Sequence, residues 1–162
     1  MKIKNFWFWV VGVVGITIDQ LTKLWVVQTL QLHQTIPLLP GVFHFTYVQN
    51  TGAAFSLFAG GGGWLRWLSL LVSLGLMAWA ALGPRFSHWE QLGYGFVLGG
   101  AMGNGIDRFL LGYVIDFLDF RLINFPVFNI ADVSINIGIA FLLLASFFGS
   151  SNSSNDSSKG SR

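Results

Sequence analysis

The 162-residue chain carries seven carboxylates, and five of them, Asp19, Asp107, Asp116, Asp119 and Asp132, stand within or beside long apolar runs. A carboxylate close to hydrocarbon is costly unless it is paired or does chemistry. Two carboxyls held together cannot both ionise, so one keeps a proton while the other draws a proton from water, the division of labour of acid–base peptide hydrolysis. No competing set of hydrolytic groups stands out. There is no Cys, so thiolate chemistry and Cys-based metal sites are excluded. His33, His44 and His88 are scattered without metal-ligand spacing, and no phosphate-cradling or dinucleotide motif occurs. A Ser–Lys pair would need Lys23, the natural partner of Asp19 four residues earlier. The chain is therefore expected to work without metal or cofactor.

The acids are not equivalent. Asp19 with Lys23, and Asp107 with Arg108, read as membrane-embedded ion pairs that orient helices. Asn104 and Asn129 read as interhelical or capping hydrogen-bonders. Once Lys23 and Arg108 have partners, Asp116 and Asp132 are left with only Arg121 nearby in sequence. These two form the candidate pair, although spacing alone does not choose between Asp116 and Asp119.

Such a layer of acids needs elements that cross a membrane. Hydrophobic residues make up 53% of the chain and charged residues 10%, which sets it apart from a soluble domain. Four apolar segments, at about 5–30, 64–83, 91–111 and 131–149, approach the roughly 20 residues that span hydrocarbon. The fold expected is an all-α membrane protein of four transmembrane helices, forming one domain over 1–149. A small β-rich extracytoplasmic segment is expected at about 35–58, between the first two helices. There "VFHFTYVQN" alternates, and Pro37, Pro40, Gly41 and the "NTG" at 50–52 mark turns. From Ser150 the polar "SSNSSNDSSKGSR" reads as a disordered tail over 150–162.

Lys2 and Lys4 precede an apolar run with no small-residue cleavage site, so this first segment reads as a retained span. Four spans put both termini on one side, which Lys2, Lys4, Arg85, Lys159 and Arg162 mark as cytoplasmic. Spans one and three then run outward and span four inward. Asp19 and Lys23, then Asn104, Asp107 and Arg108, then Asn129 with Asp132 at the third helical position, converge with the Asp116–Asp119 loop at one level near the outer face. Gly99 and Gly103 form a G-x-x-x-G spacing suited to close helix packing. The net charge of +2 indicates no nucleic-acid surface.

Five blocks carry a resemblance, in this order: "DQLTK" at 19–23, "NTGAAFS" at 50–56, "GGAMGNGIDR" at 99–108, "VIDFLDF" at 114–120 and "FPVFNIADVSI" at 125–135. Together they resemble the lipoprotein signal peptidase family (signal peptidase II), the bacterial inner-membrane aspartyl peptidases. The resemblance implies removal of the signal peptide from diacylglyceryl-modified prolipoproteins, by cleavage before the lipidated cysteine. It implies catalytic roles for Asp116 and Asp132 and makes Asp119 secondary. It places Asp19, Lys23, Asn50, Gly52, Asn104, Arg108, Asn129 and Ala131 among the family's polar and substrate-lining blocks, with Asn50 positioning the substrate backbone. Gly105 departs from the larger apolar residue expected there, which bears on local helix packing. The implied partners are the lipid-modified precursor and membrane lipids, for a monomer in the bacterial inner membrane with both termini cytoplasmic. Two rivals are a proton-coupled transporter using buried carboxylates, which needs polar groups at both membrane levels, and a non-catalytic lipoprotein assembly subunit, which binds precursor without turnover.

Overall fold

The computed structural model describes residues 3–52 and 62–157. Helix α1 (Phe6–Thr29) leads into strands β1 (Thr35–Leu39) and β2 (Phe43–Asn50), then α2 (Leu65–Leu82) and α3 (His88–Leu110). Strand β3 (Val114–Phe120) follows, and α4 (Ile130–Ser157) closes the described chain. The protein is thus mostly helical with one small sheet. Among the described residues, three helical segments, Phe6–Thr29, Leu65–Leu82 and the Ile130–Phe147 part of α4, are long and apolar enough to cross a membrane. Their outward faces are apolar: Leu71 and Leu82 of α2, and Phe147 of α4, are among the most exposed side chains. Trp7, Trp25, Trp64, Trp67, Trp79 and Trp89 are also exposed and sit near helix ends, where indole rings favour the headgroup level. α4 continues to Ser157, and residues 158–162 lie outside the described residues.

α3 is the hub, packing against α1, α2 and α4. Its glycines make that approach possible. A β-carbon on Gly99 would stand 3.3 Å from the Gly15 Cα of α1, one on Gly100 would strike the Ala131 carbonyl of α4, and one on Gly103 would strike the Asp19 carboxylate. The G-x-x-x-G spacing therefore does pack helices. Gly105 serves the α2 contact in the same way, because a β-carbon there would lie 3.1 Å from that of Ser69. α3 begins with a complete capping box: Ser87 Oγ accepts from Glu90 N at 3.3 Å, and Glu90 Oε2 accepts from Ser87 N at 2.7 Å. At this end Asn5 clasps the last turn of α2 and the loop after it, donating to Ala80 O and accepting from Phe86 N, each at 2.9 Å. Phe8, Ala80, Phe86 and Leu98 fill the space beside it.

At the opposite end lies an antiparallel sheet in the order β1-β2-β3. The β1–β2 hairpin falls within the β segment expected from sequence, whose last residues, 53–58, lie outside the described residues. β3 corrects the reading of 114–120 as a loop. It pairs with β2 in a register that sets Val48 opposite Asp116 and Asn50 opposite Val114. Val26 of α1 and Leu30 just past its end pack under Tyr47, Ile115 and Phe117, which seats the sheet on the helices.

Replacing Gly100 with Val is expected to push α3 off α4 and cost about 1–3 kcal/mol, the usual range for overpacking. Gly75→Val, at a position with nothing within 4 Å, is expected to leave stability nearly unchanged. Thermal unfolding of the two variants in detergent checks the contrast.

Candidate active site

The site begins with a buried cation. Lys23 of α1 lies 2.8 Å from Asp19 Oδ2 and 2.9 Å from Asp107 Oδ2, and its Nζ donates to Asn104 Oδ1 at 3.0 Å. Three acceptors around one ammonium match its three hydrogens. Gln20 ties the same acids together, donating to Asp107 Oδ1 at 3.0 Å and to Gly103 O at 3.1 Å. Asp19 Oδ1 accepts from Ala131 N at 2.9 Å, so the cluster also holds the first turn of α4. Asp107 Oδ2 accepts from Ile115 N at 3.1 Å, which holds β3. One charged knot therefore joins α1, α3, α4 and the sheet.

The expected Asp107–Arg108 ion pair does not form. Consecutive residues on a helix point about 100° apart, and Asp107 turns to Lys23 while Arg108 turns to the other side. Among the described residues Arg108 makes long contacts, to Gly52 O at 3.4 Å and Asn104 O at 3.5 Å. Arg121, read from sequence as the cation near the candidate pair, instead binds Asp119 at 2.8 Å. Burial pushes the Asp119 carboxyl up, but hydrogen bonds from Thr46 and Arg121 outweigh it and hold the group below its ordinary value. Asp119 is thus committed to an ion pair on the sheet.

Asp116 and Asp132 are carried by different elements and meet through two asparagines. Asn129 caps α4: its Oδ1 accepts from Asp132 N at 3.0 Å, and Asp132 Oδ2 accepts from Asn129 N at 3.1 Å, the reciprocal box expected from sequence. The Nδ2 of Asn129 donates to Asp116 Oδ1 at 2.7 Å and to Asn104 Oδ1 at 2.9 Å. Asn104 Nδ2 completes the link to Asp132 Oδ1 at 2.9 Å. The remaining oxygen of Asp116 accepts from Asn50 Nδ2 at 2.9 Å, and Asn50 is fixed in turn by the Gly52 N–H at 2.9 Å. Burial pushes the Asp116 carboxyl up to about 7; the Asn50 hydrogen bond opposes this and the Asp132 charge adds to it.

A cavity of about 960 Å³ opens on this pair. Of the residues expected at the site, Asn50, Gly52, Asn104, Arg108, Asp116 and Asp132 line it. Asp19, Lys23, Asn129 and Ala131 lie behind the lining as braces. Sequence reasoning gave no role to Gln20, and it took 125–135 as a block of the resemblance without marking 125–128, Val133 and Ile135 as an apolar cavity wall. A lone Gln in an apolar run beside Asp19 was the available signal for the first; nothing in the 125–128 residue types marks the second. No cluster with metal-ligand geometry occurs among the described residues.

The sequence profile described as Signal peptidase (SPase) II matches residues 11–148. The chain belongs to that family. It is 69% identical over 145 residues to the lipoprotein signal peptidase of Microcystis aeruginosa, covering 89% of this chain and 94% of the relative. It is 66% identical over 147 residues to that of Nostoc punctiforme, covering 91% and 93%. Among solved structures, a bacterial membrane enzyme determined by the in meso method at 2.3 Å resolution superposes with a TM-score of 0.80, 28% identity and 88% coverage of each chain.

Lys23→Met is expected to leave two buried acids without their cation and to cost about 3–5 kcal/mol, read as a large fall in thermal midpoint or in folded yield. A second expectation concerns pH. The folded protein holds the Asp116 proton up to about 7, whereas the unfolded chain releases it near 3.8, the ordinary value for an aspartate. This group therefore favours the fold at low pH and turns against it as pH rises across that window. Infrared spectroscopy should show a protonated-carboxyl band that fades as pH passes through about 7 and is missing in Asp116→Asn.

Proposed function

We propose that the protein removes the signal peptide from prolipoproteins by aspartyl chemistry at Asp116 and Asp132. Membership of the signal peptidase II family supports the reaction, and it disfavours the transporter and assembly-subunit readings. One observation carries the assignment of residues. Asp116 and Asp132 are the two carboxyls that line the cavity, while Asp19, Asp107 and Asp119 are committed to ion pairs.

In this reading the pair shares one proton. The ionised carboxylate draws a proton from water as it attacks the scissile carbonyl, and the protonated partner donates to the carbonyl oxygen. The leaving amine then receives a proton and the peptide bond is broken. With one proton shared, the pair and the Arg108 guanidinium sum to zero charge, which suits a cavity beside hydrocarbon. Asn50, at the end of β2, stands where it can position both Asp116 and the substrate backbone.

The substrate is a precursor carrying a diacylglyceryl-modified cysteine, entering sideways with its acyl chains in the bilayer. The apolar wall of the cavity supports this. α3 forms a fourth crossing, because it has 23 residues and is enclosed by three helices that suit hydrocarbon. Both termini then lie in the cytoplasm of a bacterial cell, with the site near the outer face of its inner membrane. The peptidase is one domain over 1–149, working as a monomer among membrane lipids, and the polar stretch over 150–162 is a tail outside that domain.

Purified protein in proteoliposomes should cleave lipidated precursor and leave the unlipidated form intact. Asp116→Asn and Asp132→Asn, each still folded by circular dichroism, should each lose about 100-fold or more of the rate. Normal turnover by either variant would sink the assignment.

A further inference from the structure

The cavity wall holds one polar side chain displaced from the pair along the apolar length of α4. Asn136 lies four residues after Asp132, on the same face and about 6 Å further from the sheet. Its Nδ2 donates to the Asp132 carbonyl at 2.8 Å. Its Oδ1 accepts no hydrogen bond among the described residues, and the side chain is exposed. Its neighbours on the wall, Val133 and Ile135, are apolar. A carboxamide left facing hydrocarbon is unfavourable, and it presents a donor and an acceptor side by side.

A peptide unit presents the complementary pair. A signal segment reaching Asp116 and Asp132 lies with its apolar run along the helices and its scissile bond at the level of the sheet. Cleavage requires the backbone just before that bond to leave any helical conformation, which strips its N–H and C=O groups of partners where water is scarce. Extended backbone advances about 3.3 Å per residue, so about 6 Å corresponds to roughly two residues. We propose, building on the peptidase reading above, that Asn136 is a substrate-positioning residue whose carboxamide hydrogen-bonds the main-chain peptide unit about two residues before the scissile bond. Such a contact reads backbone rather than side chain. It holds the unwound segment in line with the pair without selecting its sequence.

The test is steady-state cleavage of lipidated precursor by the native protein, Asn136→Ala and Asn136→Leu, in proteoliposomes. Each variant should raise KM about tenfold with a much smaller change in kcat, the mark of binding lost equally from ground and transition states. Retained kcat shows that the variants are folded. A series of precursors in which each of the three amides before the scissile bond is replaced in turn by an ester should show a similar KM increase for the native protein at the second position. The variants should be insensitive to that replacement. Unchanged KM in both variants, loss of kcat in both, or equal sensitivity of native and variant proteins to the ester series overturns the inference. So does coupling that appears instead with an ether-linked lipid, which would assign Asn136 to the acyl ester carbonyls. Failure of the native protein to cleave the lipidated precursor would strike the peptidase reading itself, a result distinct from all of these.

Discussion

The arrangement depends on an ammonium group that has been taken out of water. Lys23 is 2% exposed, and its partners Asp19 and Asp107 are equally buried. Removing one charge from solvent in a membrane protein is expensive, and the expense is offset only when every remaining hydrogen finds an acceptor. Here the acceptors come from α1 and α3, and the acids pass the constraint outward, Asp19 through its second oxygen to Ala131 N on α4 and Asp107 through the oxygen that faces Lys23 to Ile115 N beside Asp116. Asp116 and Asp132 therefore each have a backbone neighbour fixed by the same knot. The groups proposed to do the chemistry are held by charges that do none.

This division explains how two unpaired acids can persist near hydrocarbon. Four amide or backbone donors, from Asn50, Asn104 and the two nitrogens of Asn129, satisfy the four oxygens of Asp116 and Asp132. None of these donors carries a formal charge, so the carboxyls remain free to exchange a proton. A lysine or arginine in the same positions would lock them ionised, as Arg121 locks Asp119. Arg108, the cation on this cavity, stays at the length of its weak contacts to Gly52 and Asn104.

Much of this was legible in the residue types. Acids inside apolar runs stand out because hydrocarbon penalises them, and helical spacing puts Asp19 with Lys23 and caps α4 with Asn129 and Asp132. The partner of Asp107 was not legible. Adjacency in sequence suggested Arg108, yet adjacent helical residues diverge, and the true partner Lys23 lies 84 positions away by chain and 2.9 Å by space. β3 was missed for a related reason. "VIDFLDF" buries residues on both of its faces, so it lacks the polar alternation of a half-exposed strand, and its acids argued for a loop. The cavity wall at 125–128 was invisible because apolar residues look alike whether they face lipid, core or substrate.

Asp116 rides on a strand and Asp132 on the first turn of a helix, and one asparagine amide spans the two. The boundary between sheet and helical bundle thus runs through the middle of the site as a seam. Undocking of the sheet would separate the acids while every helix stayed intact, since such partial openings cost less than global unfolding. Catalytic competence would then report on how tightly the seam is closed rather than on whether the chain is folded. A mutation outside the cavity lining, under Tyr47 or Phe117, would then silence the enzyme and leave its helical content untouched.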